Sequence, residues 1–307
     1  MDIVTYITLQ NITLIDQSQN GTFSIFRPMT IKLLMSDQTN NYVMVLTAEY
    51  FDLWTGFSKK FPSVTPNMVS MIHMIIALIA SKYIASENLK DRRIGVIMFE
   101  IKTWLDSLDG VIHRSHSNDP VYKSHKATLG YYVDAISDTI SGVGIGLGVL
   151  FFLFKTRLGN NKVRKTNLPP DIENNNDNYE KFYLPENSIR LLLWICWCYG
   201  FQIAVASASW DKRIEGMEYV LQTDLKNKTQ TALQTSMLHS LTTWCVMYLW
   251  KLFCGFSLLQ VYMVVIFMDK IWEFLNFVQY NGFVVLFMLN IITVLHINHM
   301  KDVIAIK

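Results

Sequence analysis

Long apolar runs recur along this chain, each close to the length a bilayer demands and each set off by short polar segments. A helix crossing the hydrocarbon core needs about 20 mostly apolar residues, and six stretches meet or approach that length. The first opens at Pro66, well suited to a first helical turn, and continues MVSMIHMIIALIASKYIAS. The second follows Arg93 as IGVIMFEIKTWLDSLDGVIHR and is unusually polar. The third runs from Gly130 through YYVDAISDTISGVGIGLGVLFFLF, and the fourth is IRLLLWICWCYGFQIAVASASW. The fifth and sixth lie between about Leu241 and His296, parted near Asp269 and Lys270.

The pattern predicts an all-α membrane protein of about six transmembrane helices over residues 61–300, preceded by a small extramembrane segment over residues 1–60. That segment alternates apolar and polar residues in IVTYITLQNITLI and NYVMVLTA, which predicts short strands or a luminal or interfacial cap. NLPPDIENNNDNYEKFYLPEN, from Asn167, reads as a surface loop. Composition agrees with the membrane reading: 51% of residues are hydrophobic and only 17% charged, against about 25% charged in soluble domains. The net charge of +2 is too small to suggest a nucleic-acid partner. Cys196, Cys198, Cys245 and Cys254 all sit in apolar runs without zinc spacings, so they read as small hydrophobes rather than a disulfide framework or zinc site. The N-terminus lacks a basic start and a continuous apolar core, so the first true span is expected to direct insertion.

Basic residues in short loops orient membrane helices. Lys90, Arg92 and Arg93 follow the first span, and Lys155, Arg157, Lys162, Arg164 and Lys165 follow the third. Both loops lie on one side, expected to be cytosolic. The loop between spans two and three then faces the lumen, as do the glycosylation sequons at Asn11, Asn20 and Asn227. Lys59 and Lys60 oppose this orientation.

Chemistry concentrates between spans two and three. Asp106 and Asp109 are three residues apart and share a helical face; Asp134 and Asp138, four apart, share another. An acid inside a span costs about 2.5–3.5 kcal/mol on insertion scales, so four unpaired acids would cost on the order of ten. The turn signal Asn118-Asp119-Pro120 predicts that the two helices are antiparallel neighbours, with both acid pairs at similar depth. Four converging carboxylates make a hard oxygen pocket suited to Mg²⁺ or Mn²⁺ rather than zinc. Carboxylate chains also mark ion and proton pathways, so a transporter remains an alternative at this point.

The motif Asp106-Ser-Leu-Asp109-Gly110-Val-Ile-His113-Arg114, followed by Gly130-Tyr-Tyr-Val-Asp134-Ala-Ile-Ser-Asp138, resembles the D-x2-D-G-x2-A-R…G-x3-D-x3-D signature of the CDP-alcohol phosphotransferases. Thr65-Pro66-Asn67 also resembles the start of that family's first span. Two departures stand out: His113 takes the place of Ala, and the spacer from Ser115 to Leu129 is fifteen residues rather than eight or nine. The chain is more similar to a smaller branch, the invertebrate ceramide phosphoethanolamine synthases, whose motif is divergent and whose active site faces the Golgi lumen, the side on which the loop charges place this motif.

The resemblance implies transfer of phosphoethanolamine from CDP-ethanolamine to ceramide with release of CMP, at a site between helices two and three that holds Mn²⁺ or Mg²⁺, two ions being expected. By position, Asp106, Asp109, Asp134 and Asp138 are the implied metal ligands, and Asp138 the base that takes the acceptor's proton. Gly110, Arg114, Gly130 and His113 are the implied substrate-binding residues, with His116 and His125 nearby. An ethanolamine- or cholinephosphotransferase acting on diacylglycerol is the alternative of the same chemistry. The chain is expected in an endomembrane, the Golgi above all, among membrane lipids. The Gly142/Gly146 and Gly144/Gly148 pairs read as helix-packing ridges, which with the parent family's habit suggests a homodimer. Glu100, Lys102, Lys251 and Asp269 are further polar residues within or near spans, and Trp194, Trp197, Trp210, Trp244, Trp250 and Trp272 fit interfacial belts.

Overall fold

A computed structural model describes residues 31–117, 129–166, 186–223, 225 and 227–305. The first alternating segment, Asn11, Asn20, the Asn118-Asp119-Pro120 turn, His125 and residues 167–185 of the expected surface loop lie outside that set.

The described residues are helical throughout, with no strand among them. In chain order the helices are α1 (Ile31–Met35), a π-helical turn (Asn40–Met44), α2 (Val45–Thr55), α3 (Phe57–Lys60), α4 (Pro66–Ile84), α5 (Leu89–Ser117), α6 (Leu129–Thr166), α7 (Glu186–Leu221), α8 (Lys228–Leu238), α9 (Leu241–Phe253), α10 (Gly255–Phe267) and α11 (Ile271–Ile304). NYVMVLTA is therefore helix, not strand. Val45 and Ala48, three residues apart, are the buried pair, and the Thr47 hydroxyl donates back to the Val43 carbonyl at 2.6 Å, a helical i to i−4 bond. The Asp37 carboxylate starts this segment by accepting from the Asn40 amide at 2.8 Å.

Segments Pro66–Ile84, Gly130–Thr156, Ile189–Leu221 and Ile271–Ile304 are long and apolar enough to cross a membrane. Leu241–Phe253 and Gly255–Phe267, bent by 45° at Cys254, make a fifth if taken as one span. Helix α5 has the length, at 29 residues, but carries Glu100, Lys102, Asp106 and Asp109. Apolar length alone thus yields four or five spans rather than six. The polar residues of α5 turn toward neighbouring helices instead of lipid, so its hydropathy understates how well it fits the bundle.

Helix α4 is the hub. It packs along both α5 and α6, whereas α5 and α6 scarcely approach one another. The expected direct pairing of the two acid-bearing helices is corrected accordingly: α4 lies between them. Small residues permit this. A Cβ on Gly95 would sit 2.8 Å from the Ala80 carbonyl oxygen, and one on Gly148 would sit 2.6 Å from that of Ser81. The Ser81 hydroxyl donates to the Gly144 carbonyl. Ala77, Ala80, Phe99, Ile145, Val149, Tyr199, Tyr262 and Leu275 then form the main core across α4, α5, α6, α7, α10 and α11. A second core joins α1 to α7, α9 and α11 around Trp250, and Ala48 of α2 packs with Val69, Leu108 and Ile112.

Arg92 is not a free loop charge. It is buried, donates to the carbonyls of Ser86 at 3.1 Å and Glu87 at 2.9 Å, and pairs with Asp269. Its guanidinium lies 4.0 Å from the centroid of the Phe152 ring. Lys155 reaches the Ala85 carbonyl at 3.4 Å, so the ends of α4, α6 and α10 gather at one end of the bundle. Replacing Arg92 with Met strands the two carbonyls and is expected to cost about 1–3 kcal/mol, read as a lower Tm in detergent. Trp250 is also corrected. It is fully buried and donates to Thr293 at 2.8 Å, rather than resting at an interface. Trp210 donates to the Met35 carbonyl at 2.7 Å.

Candidate active site

Three helix ends build the site. The first two turns of α4 present Asn67, Ser70 and His73, spaced three apart on one face. The last turns of α5 bring Asp106, Asp109, Gly110, His113 and Arg114, and the first turns of α6 bring Gly130, Asp134 and Asp138. Because α4 is wedged between the other two, its polar face forms the floor on which both acid pairs meet.

His73 is at the centre and fully buried. Its Nε2 is 3.5 Å from Asp106 Oδ1, 3.5 Å from Asp109 Oδ2 and 3.9 Å from Asp134 Oδ1. Neither ring nitrogen has a hydrogen-bond partner, and Asp134 Oδ1 has none either. Asp109 accepts from the Ser70 hydroxyl at 2.7 Å. Lys102, one turn before Asp106, is ion-paired with Asp138 and lies 3.9 Å from Asp106 Oδ2. One donor atom each from His73, Asp106, Asp134 and Asp138 falls within 4.8 Å of the others, a group able to hold a metal ion.

The cluster opens into a cavity of about 1750 Å³. Asp106, Asp109, Gly110, His113, Arg114, Gly130, Asp134 and Asp138 all line it. Along α6 and α7 its wall is mainly apolar, with Leu147, Leu193, Trp194, Trp197 and Phe201, while Lys32, Asp37, Arg190 and Asp211 add charged groups to the lining. The Trp197 and Phe201 rings stack at 5.1 Å. A Cβ on Gly110 would meet only Arg114 Nη1, at 3.4 Å, and one on Gly130 only Asn67 Oδ1, at 3.5 Å. Arg114 also pairs with Glu49 at 3.1 Å, which ties α2 to the rim.

The glycine ridge divides. Gly144 and Gly148 press on α4, whereas Gly142 and Gly146 line the cavity with open space where a side chain would be. Both halves are used within the chain, so the ridge does not carry the homodimer expectation. His113 faces the cavity; His116 is exposed and does not line it. The four cysteines are free thiols.

Sequence reasoning overlooked His73 and gave Lys102 no part in the cluster. The signal for His73 was present: Asn67, Ser70 and His73 make a polar stripe at helical spacing in an otherwise apolar span. Nothing local marks Glu49.

The ceramide phosphoethanolamine synthase family model matches residues 9–306. The chain belongs to this family. A ceramide phosphoethanolamine synthase of Drosophila melanogaster is 30% identical over 271 residues, covering 88% of this chain and 68% of the fly protein. No solved structure matches. As a ceramide phosphoethanolamine synthase family member, the chain is an enzyme of the phosphotransferase class. The matched stretch includes α1–α3, which pack against α5, α7 and α9.

Proposed function

We propose that this enzyme transfers phosphoethanolamine from CDP-ethanolamine to the primary hydroxyl of ceramide, releasing CMP. The observation that carries the reading is an acid and imidazole cluster in a large cavity whose walls along α6 and α7 are mainly apolar. That arrangement suits a reaction between a charged pyrophosphate and a lipid alcohol. The acceptor oxygen bonds to the phosphorus that bears ethanolamine. The bond from that phosphorus to the bridging oxygen breaks, and its electron pair leaves with CMP.

Asp138 takes the hydroxyl proton. Asp106, Asp109 and Asp134, with Asp138, are the residues assigned to hold Mn²⁺ or Mg²⁺, and the unpartnered Asp134 oxygen and His73 nitrogens fit such a group. Bound there, the cation supplies charge neutralisation of the pyrophosphate and acidifies the acceptor hydroxyl. Gly110 and Gly130 let the nucleotide approach the helices closely, while His113 and Arg114 face its phosphates from the rim. Arg114→Lys removes the guanidinium fork but keeps the charge. It is expected to raise KM for CDP-ethanolamine by about tenfold, the equivalent of one charge-assisted hydrogen bond.

The apolar arm of the cavity holds the acceptor's chains beside Gly142 and Gly146. Gly146→Leu is therefore expected to raise KM for ceramide severalfold with little change in donor KM, measured by varying each substrate in mixed micelles. The reading as a whole is tested by CMP release from purified protein with CDP-ethanolamine, comparing ceramide with diacylglycerol and using Asp134→Asn as the blank. Preference for diacylglycerol would reassign the acceptor, and no CMP from any CDP-alcohol would end the phosphotransferase reading.

The site lies at the end of the bundle opposite Arg93, Lys155 and Lys270. With that basic end cytosolic, the site opens toward the lumen of an endomembrane, consistent with the Golgi. Asn227 lies beyond the fourth span on the luminal side, where its side chain caps α8 by accepting from the Thr229 amide at 3.1 Å. A glycan on Asn227, removed by endoglycosidase and absent in Asn227→Gln, is the expected mark of this orientation.

A further inference from the structure

Four carboxylates suggest two cations, yet the cluster contains a positive charge of its own. We propose that the site takes a single divalent ion, with His73 giving that ion a nitrogen donor and the Lys102 ammonium standing where a second ion would bridge Asp106 and Asp138. The inference rests on the metal-dependent reading above and changes its expected stoichiometry and ligand set.

Two independent features support it. His73 is fully buried, and its Nε2 faces Asp106, Asp109 and Asp134 at 3.5–3.9 Å without a hydrogen-bond partner. Adjacent ligands of a small octahedral ion with bonds near 2.1 Å stand about 3 Å apart; donor atoms of His73, Asp106, Asp134 and Asp138 already lie within 4.8 Å of one another, so contraction around His73 encloses one ion. A buried imidazole nitrogen without a partner is costly, and coordination satisfies it. Imidazole also suits Mn²⁺ better than Mg²⁺, which prefers oxygen donors and retained water.

Lys102 is only 3% exposed, and its ion-pair partners are Asp138 and, at 3.9 Å, Asp106. A second cation bridging those two acids would need the same oxygens. It would place a double charge directly against an almost fully buried ammonium. Removing Lys102 from both acids would leave a buried charge unpaired, the expensive outcome for an interior ion pair. The ammonium therefore fixes Asp138 and Asp106 electrostatically, as a metal would, and leaves one pocket on the His73 side.

The test is Mn²⁺ titration of the purified full chain in detergent, reading free Mn²⁺ by electron paramagnetic resonance and bound-ion nitrogen coupling by spin-echo modulation. Wild type is expected to bind one Mn²⁺ per chain with nitrogen coupling, and His73→Gln to lose that coupling and bind Mn²⁺ at least tenfold more weakly. Lys102→Met is expected to bind two ions with Mn–Mn spin coupling, while Lys102→Arg stays at one. Two ions in wild type, no nitrogen coupling in wild type, or coupling that survives His73→Gln would each overturn the proposal. So would a folded Lys102→Met protein that still binds one ion. CMP release from the same preparations separates the two readings. Two ions with normal CMP release sinks this inference alone, whereas one nitrogen-ligated ion without CMP release sinks the function and leaves the site as described.

Discussion

Asp138→Asn is expected to lower CMP release by about 10²–10⁴-fold, the range ascribed to a positioned general base, while the protein keeps its fold. The substitution preserves shape and removes only the ability to take a proton and to carry charge. Asp138 lies on α6 one turn beyond Asp134, lines the cavity and is held by Lys102 from across the site. Asparagine can still accept a hydrogen bond from that ammonium, and Asp106 remains within 3.9 Å of it, so Lys102 retains a charged partner. The loss should therefore appear mainly in kcat. Initial rates at saturating CDP-ethanolamine and ceramide, together with elution volume and thermal unfolding, make the measurement. A fall of less than tenfold in a folded variant would mean that the acceptor's proton goes elsewhere.

Gly148→Leu is the second large effect, and it acts on the fold. Overpacking a well-filled interior typically costs 1–3 kcal/mol. Here the added Cβ alone would lie 2.6 Å from the Ser81 carbonyl oxygen and 2.9 Å from its hydroxyl. A backbone atom cannot rotate aside, so α6 must shift away from α4, and a cost of roughly 3 kcal/mol or more is expected. Because Asp134 and Asp138 ride on α6 while His73 rides on α4, the same shift opens the acid cluster. Gly142→Ala, two turns nearer the site, meets nothing within 4 Å and should leave Tm nearly unchanged. Equal Tm losses in the two variants would contradict the packing described for α4 and α6.

These two positions show what kind of information the sequence carries. The apolar runs locate α4, α6, α7 and α11 because burial in a bilayer depends on local length and hydropathy, both of which can be read along the chain. The grouping of Asp106 with Asp109 and of Asp134 with Asp138 is likewise local, following from the helical repeat alone. The acid motif, with the resemblance it carries, pointed to the family that the comparisons establish. By contrast, Gly142/Gly146 and Gly144/Gly148 are equivalent as a pattern. Only their rotation relative to α4 decides that one pair packs and the other lines a cavity.

Alternation over the few residues of NYVMVLTA fits a strand as well as a helix, and contact with α5 settles the matter. The helix α4 was expected to carry the chain into the membrane; its place between α5 and α6 makes it the floor of the site and brings in His73. Lys102 read as one more polar residue in a span until the fold set it against Asp138, thirty-six positions away. The four long apolar spans, the acid spacing and the family were thus determined by the sequence itself, through local length, hydropathy and helical spacing. The imidazole, the internal cation and the shape of the cavity were decided only by tertiary structure, because each depends on which helix faces of distant segments meet.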